Sequence, residues 1–230
     1  THSSGSWTMV QKLLALDAAA DTNFGYSVAI DGDTIVVGAA GDDHVAGYDS
    51  GSAYVFVRSG GVWVQQQKLT SSDPAVQDEF GTAVSVDGDT IVVGAARKPS
   101  NSMVGAAYVY VRSGGVWTEQ QKLMASDASA FDRFGVSVAV GGETVIVGAK
   151  ADDSPAGGDS GSAYVFVRSG TSWTEQQKLT ASDGAPSDLF GQTVSLSGDT
   201  AVVGAYSDDC VPGSDCGSAY VFVRSGSVWI

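Results

Sequence analysis

Four sets of markers recur in step along this chain, and any fold it adopts must accommodate them. The Phe-Gly pair stands at Phe24-Gly25, Phe80-Gly81, Phe134-Gly135 and Phe190-Gly191, spaced by 56, 54 and 56 residues. A Val-Gly-Ala triplet follows each pair, centred on Gly38, Gly94, Gly148 and Gly204, always 14 residues after the Phe. A Tyr-Val-Phe/Tyr-Val-Arg run closes each unit at Arg58, Arg112, Arg168 and Arg224, and Trp7, Trp63, Trp117, Trp173 and Trp229 keep the same beat. A fixed period of this length signals a repeat architecture in which neighbouring units bury one another.

Each unit carries four short strand signals separated by turn residues. The first strand runs from Phe-Gly into Asp31-Gly32, Asp87-Gly88, Gly141-Gly142 or Ser197-Gly198, small pairs suited to a two-residue hairpin. The second is Thr-Ile-Val-Val-Gly-Ala, as at 90–95, and the third Ser-Ala-Tyr-Val-Phe-Val-Arg, as at 52–58. A Gly-rich turn leads to the fourth, Trp-Thr-Glu-Gln-Gln-Lys-Leu, as at 117–123. The second and third strands are nearly continuous apolar runs, which fits burial on both faces. The fourth is polar and carries a lysine, the mark of a blunted edge. No helical period is sustained anywhere. Four-stranded sheets packed face to face, polar edge outward, describe a β-propeller. Two stacked β-sandwich domains are the alternative, which the regular spacing of single four-stranded units disfavours.

Phe-Gly, a hairpin, Val-Gly-Ala and then Gly-Ser-Ala-Tyr-Val-Phe resemble the FG-GAP repeat of integrin α-subunit propellers and their bacterial relatives, over essentially residues 7–224. The resemblance implies a secreted or cell-surface propeller that binds a ligand or mediates adhesion, in some members as a lectin, and that calcium often stabilises. It implies possible Ca2+ and no organic cofactor. One departure stands out. The family's calcium loop, an Asp-x-Asn-x-Asp-Gly insert between the first two strands, is here only Asp-Gly-Asp or shorter. That is too short to supply the 6–8 oxygens calcium takes.

The expected fold class is all-β: a four-bladed propeller of four-stranded antiparallel blades forming one domain over 1–230. The blades fall at 24–69, 80–123, 134–179 and 190–224, the last completed by residues 7–13 so that no sheet edge is left at the seam. Trp229-Ile230 starts a second claimant to that same strand and also fits assembly into a larger ring. A monomer is the simpler expectation.

The net charge of −14 argues against nucleic acid and anionic membranes, which select basic patches, and suits cations or basic protein surfaces. No apolar run is long enough for a helical membrane span, and no secretory leader pattern is visible. The two cysteines, Cys210 and Cys216, flank a Pro-Gly turn, so they either close a local disulfide or remain loop thiols; a secreted setting favours the disulfide.

Strand direction sorts the loops onto two faces. The second-to-third loops and the inter-blade connections share one face, where function is expected. That face is acidic. The connections bring Asp17, Asp21, Asp73, Asp78, Asp127, Asp132, Asp183 and Asp188, and the loops bring the pairs Asp42-Asp43, Asp152-Asp153 and Asp208-Asp209. The pairs are candidate divalent-cation ligands, because carboxylates beside backbone carbonyls suit a hard cation. Equally, Asp caps turns by accepting from nearby backbone N–H groups; for Asp78, Asp132 and Asp188, each two residues before its Phe, capping is the expectation. The second unit replaces the Asp pair with Arg97-Lys98-Pro99, either loop drift or a basic spot for an anionic group.

Gly158-Asp159-Ser160-Gly161 resembles a serine-protease nucleophile segment, but Asp49-Ser50-Gly51 occupies the same place in the first unit, and the only histidines are His2 and His44. A triad needs a positioned His, so no enzyme is expected. The recurring Trp residues either pack blade corners or stack a sugar, packing being favoured by their phase. The ligand-binding residues are unassigned. Two functions follow: an extracellular propeller recognising a glycan or protein through its Asp-rich face, with or without a cation, or a structural, adhesive repeat module of a larger surface protein.

Overall fold

The computed structural model describes residues 7–43, 47–99, 101–209, 213 and 215–230. They form four four-stranded antiparallel sheets in which sequence order is spatial order, with no helix among them. Blade one is β1 (Phe24–Asp31), β2 (Thr34–Ala39), β3 (Ser52–Ser59) and β4 (Val62–Leu69). Blade two is β5 (Ala83–Asp87), β6 (Thr90–Ala95), β7 (Ala106–Ser113) and β8 (Val116–Leu123). Blade three is β9 (Phe134–Gly141), β10 (Thr144–Ala149), β11 (Ser162–Ser169) and β12 (Ser172–Leu179). Blade four is β13 (Phe190–Ser197), β14 (Thr200–Ala205), β15 (Ser218–Ser225) and β16 (Val228–Trp229). This is the blade architecture of a four-bladed β-propeller. The first hairpins turn through Gly32, Gly88, Gly142 and Gly198 at φ between 52° and 56°, the left-handed region that glycine enters freely.

Blades pack face to face through shared cores. Val36, Ala53, Val55 and Leu69 of blade one meet Val84, Val86, Val93 and Trp117 of blade two, and the same pattern repeats from two to three and from three to four. Buried inside each seam, the Phe of Phe-Gly lies edge-on to two rings of its own third strand, Phe80 to Tyr108 at 5.5 Å and Tyr110 at 6.1 Å. The glycines of the two signature motifs interlock. A Cβ on Gly94 would fall inside the van der Waals shell of Gly135 O, and one on Gly81 inside that of Ser52 O. Backbone meets backbone here, so no side chain fits.

The outer strand explains the Gln-Gln dipeptide. Alternation along a strand should send Gln66 and Gln67 to opposite faces. A bulge intervenes, because Val55 pairs with Gln67 and Phe56 with Gln65, leaving Gln66 as the extra residue. Both side chains therefore reach the next blade. Gln67 exchanges two hydrogen bonds with the Trp117 backbone (2.7 and 2.9 Å), and Gln66 Oε1 accepts the Trp117 indole N–H (3.0 Å). Gln120-Gln121 do the same to Trp173, and Gln176-Gln177 to Trp229.

The seam differs from expectation. Residues 7–13 do not complete blade four, which takes its fourth strand from β16. They lie instead against blade one, where Gln11 exchanges hydrogen bonds with the Trp63 backbone (2.8 and 2.9 Å) and Leu13 packs on the core around Tyr54 and Phe56. The reason is the same Gln-to-Trp bond: an outer strand grips the Trp of the blade that follows it, so this segment holds to blade one whichever blade it completes. Blades one and four consequently each leave one face uncovered, and the two-sided burial of β6 and β10 gives way to alternation in β14 and β15.

Candidate functional site

The long loops do gather on one face, and backbone hydrogen bonds zip them to the inter-blade connections. Gln77, Glu79 and Phe80 donate to Tyr48, Asp49 and Ser50 carbonyls, and Phe131, Arg133 and Phe134 donate to Ser102, Met103 and Val104. Ser187, Leu189 and Phe190 repeat the pattern on Gly158, Asp159 and Ser160. Among the described residues, the main chain thus ties the loops of blades one, two and three to the connection that follows each.

On this rim the Asp-Asp pairs split. Asp43, Asp153 and Asp209 are exposed and cap their own loops, accepting the N–H of Asp49 (2.8 Å), Asp159 (2.9 Å) and Asp215 (2.9 Å). Asp42 and Asp152 are buried, each only 3% exposed. Asp42 accepts from Ser52 Oγ (2.6 Å) and pairs with Lys68 Nζ (2.8 Å), and Asp152 accepts from Ser162 Oγ (2.5 Å) and pairs with Lys178 Nζ (2.7 Å). The lysines come from the outer strands β4 and β12. Each also reaches the carboxylate of the preceding connection, Asp17 at 2.6 Å and Asp127 at 2.7 Å. A tyrosine from the third strand completes the cluster, Tyr164 donating to Asp127 (2.8 Å) and Asp152 (3.1 Å). Burial would lift the Asp127 carboxyl, but hydrogen bonds from Lys178 and Tyr164 outweigh it and hold it below the ordinary range. Burial pushes the Tyr54 hydroxyl up to about 12. These are closed charge clusters. Among the described residues, no three His, Cys, Asp or Glu side chains converge as a metal site. In blade four, Asp208 and Asp183 share the Tyr220 hydroxyl (3.4 and 2.8 Å).

Blade two carries the cluster with one charge reversed. Lys98 stands where Asp42 and Asp152 stand, is 6% exposed, and its ammonium meets the buried Asp78 carboxylate at 2.5 Å. Lys122 takes Asp73 (2.9 Å), and Tyr108 donates to Asp73 (2.6 Å). Ala106 replaces the serine that serves the carboxylate in blades one and three. Lys98 is therefore neither loop drift nor an exposed basic spot; Arg97 is the outward one, paired with Glu79 at 2.9 Å.

The remaining expected residues fall out individually. Asp78, Asp132 and Asp188 cap turns, accepting the N–H of Ala75 (2.7 Å), Ser129 (2.6 Å) and Ala185 (2.6 Å). Asp132 is 2% exposed, and its carboxyl is pushed up to about 6, chiefly by burial, with Asp152 and Asp127 adding repulsion. At the opposite face, the short turns do not fit calcium. Their carboxylates are spent on arginine, Asp33 on Arg58 (2.6 Å), Asp89 on Arg112 (2.6 Å) and Glu143 on Arg168 (2.6 Å), while Asp31 accepts Gly88 N–H from the next blade (2.8 Å). Ser160 is buried and bonded to Ser154 (2.6 Å), as Ser50 is bonded to Gly47 O (3.0 Å), so the repeat accounts for the protease-like string. Trp117, Trp173 and Trp229 are buried at the seams, with Arg112 stacked 5.0 Å from the Trp117 ring. His2, His44 and Cys210 lie outside the described residues, so the Cys210–Cys216 bridge stays an expectation.

Sequence reasoning passed over the outer-strand lysines as edge blunting and the third-strand tyrosines as core. Their signal was phase: Lys68, Lys122 and Lys178 recur in step with the rim carboxylates. It also passed over exposed aromatic rings on the long-loop face, among them Tyr48 (55%), Phe131 (53%) and Tyr206 (66%).

The family model for the FG-GAP repeat matches four times, at residues 7–56, 63–110, 117–166 and 173–222. The last three matches each open at a Trp of an outer strand and end in the third strand of the following blade, so the sequence repeat straddles two blades. No curated protein matches the chain.

Proposed function

Because the chain belongs to the FG-GAP repeat family, we propose that it is a non-enzymatic binding module, secreted or displayed on a cell surface, whose long-loop face recognises a basic patch on a protein partner. One observation carries this reading. Tyr48, Phe131 and Tyr206 stand exposed on a rim whose outward carboxylates include Asp43, Asp153, Asp159, Asp209 and Asp215. Aromatic rings are the side chains that anchor protein interfaces. Outward carboxylates around them steer a cationic partner and suppress an anionic one. The backbone zipper lowers the cost of ordering the loops on binding. Binding is direct, since the inner carboxylates of blades one and three are already spent on lysine.

An array carrying lysine- and arginine-rich peptides beside glycans, read in calcium and again in EDTA, tests this. Expected are peptide hits that weaken with salt, ignore EDTA and vanish in the triple variant Tyr48→Ser, Phe131→Ser, Tyr206→Ser. Hits confined to glycans and lost in EDTA would refute the proposal in favour of a cation-dependent lectin. A second reading, an adhesive repeat module without a small ligand, draws on the uncovered blade faces at the two ends. A blank array in both buffers would select it.

A further inference from the structure

We infer that Arg133 and Lys150, at the rim of blade three, together seat a tetrahedral oxyanion, a phosphate or sulfate group that is either free or carried on a small ester.

The register of blade three puts these two cations opposite one another. β9 begins at Phe134 and β10 ends at Ala149, and these two residues are partners in the ladder. Arg133 and Lys150 are the next residues on the two segments. Just beyond them the segments are tied again, where the Ala151 N–H donates to Asp132 O (3.2 Å). The two cations are therefore held between fixed points. Like charges set opposite each other in this way are destabilising, and the other blades avoid the arrangement. The same two places hold Asn23 and Ala40 in blade one, Glu79 and Ala96 in blade two, and Leu189 and Tyr206 in blade four.

The chain supplies no counter-charge for this pair. Nine of its twelve lysines and arginines form ion pairs, as befits a chain with 26 acidic residues to draw on. The exceptions among the described residues are Lys12, before blade one, and the two cations of this pair. Neither the Arg133 nor the Lys150 side chain has a hydrogen-bond partner among the described residues. The carboxylates of their own blade are committed elsewhere. Asp127 and Asp152 hold Lys178, Asp132 turns inward to cap Ser129 N–H, and Asp153 caps Asp159 N–H. Both cations are half-buried, so water screens their repulsion only in part. Burial, and then the Arg133 charge, hold the Lys150 ammonium below the ordinary lysine range.

A tetrahedral oxyanion answers each of these features. Its two negative charges match two cations. The planar guanidinium fork of Arg133 takes two of its oxygens, and the Lys150 ammonium serves a third as a point charge. A carboxylate brings one charge and leaves the repulsion half relieved. The acidic rim around the pair repels extended polyanions, so the ligand is a single small group. The seat does not rest on the protein partner proposed above. Neither cation is among the aromatic anchors, so the two readings fail separately.

Calorimetric titration of the whole chain with inorganic phosphate, sulfate and acetate, at fixed ionic strength in Tris chloride, tests this. Expected is saturable one-site binding of phosphate and sulfate, with acetate at least about tenfold weaker. Arg133→Gln and Lys150→Gln should each weaken phosphate binding at least about tenfold. Gln is accommodated at 133, because Asn23, Glu79 and Leu189 hold the same backbone conformation, with φ of 53°, 54° and 58° beside 57° for Arg133. Thermal melts give a second readout. Without phosphate or sulfate, Lys150→Gln should melt at or above the parent, since removing one charge relieves the other. Phosphate should then raise the melting temperature of the parent and not of the variant. Phenyl phosphate and phenyl sulfate separate the sources: tighter binding than the free ions supports an ester, and equal or weaker binding supports the free ion. A phosphate response no greater than that to matched sodium chloride, or one retained in both variants, overturns the seat. So does a Lys150→Gln chain that melts well below the parent without phosphate, since the ammonium would then belong to the fold rather than to a ligand.

Discussion

Replacing Lys98 by Met should be among the most damaging single changes in the chain, although it lies in a loop. The Lys98 and Asp78 side chains are 7% and 1% exposed, and their charged atoms lie 2.5 Å apart. Asp78 Oδ2 also accepts the Ala75 N–H, while Oδ1 has no hydrogen-bond partner among the described residues. Met nearly matches the volume and the apolar stem of Lys, so the cavity term is small. What remains is a buried carboxylate stripped of its counter-charge, a loss of about 3–5 kcal/mol. The neighbouring Lys122–Asp73 pair, 30% and 49% exposed, recovers less than about 1 kcal/mol of it. Urea unfolding at pH 7 of the parent, Lys98→Met, Asp78→Asn and the double variant measures the coupling directly. The double variant is expected to be at least about 2 kcal/mol more stable than the summed single losses imply, because removing both charges strands neither. A single-variant loss below about 1 kcal/mol, or strict additivity, would refute the buried-pair argument.

Four shorter predictions follow from the same geometry. Asp132 has a native pKa of about 6 against 3.8 unfolded, so the native state holds the extra proton and stability falls as pH rises between those values; Asp132→Asn keeps the acceptor for Ser129 N–H and should flatten that slope and be the more stable form at pH 7 in thermal melts. Gly94→Ala should cost about 1–3 kcal/mol or more, because its Cβ meets the Gly135 backbone, whereas the equivalent Gly204→Ala should cost under about 1 kcal/mol in the monomer; equal losses in urea titrations would contradict the interlock. Gln121→Ala removes two hydrogen bonds to the Trp173 backbone and should cost about 1–3 kcal/mol by the same assay. Adding EDTA or calcium should leave the melting temperature unchanged, since the hairpin carboxylates are engaged by arginine; a calcium-dependent rise would show a site elsewhere.

Much of the fold was legible because the strand-level signals are local. Short apolar runs, small turn pairs and a 54–56-residue phase fix four sheets without any long-range information. The rim was less legible because one residue type did two jobs. Asp42 and Asp43 are adjacent in sequence, yet one points inward to a lysine and the other outward to cap a loop. Nothing in the dipeptide announces the division. Only the coordinated change in blade two does so, where lysine at 98 goes with alanine at 106 in place of serine. The serine hydroxyl donates to the carboxylate in blade one, and it is absent where the carboxylate is absent. The Gln-Gln dipeptide was opaque for a different reason. Its meaning depends on a bulge, and a bulge breaks the alternation that sequence reading assumes.

The seam was misread because sequence repeat and structural blade are out of step. Each repeat opens with the outer strand of one blade and closes with the third strand of the next, so counting repeats gives the right number of sheets while leaving open which sheet the first strand serves. Residues 7–13 carry both affiliations: Gln11 binds forward to Trp63, and Lys12 has the register of a lysine that serves the blade behind. Forward binding survives without a preceding blade because it needs only the Trp backbone. The backward half needs an entire sheet beneath it. Hence the segment holds to blade one while its lysine keeps the register of a blade behind it.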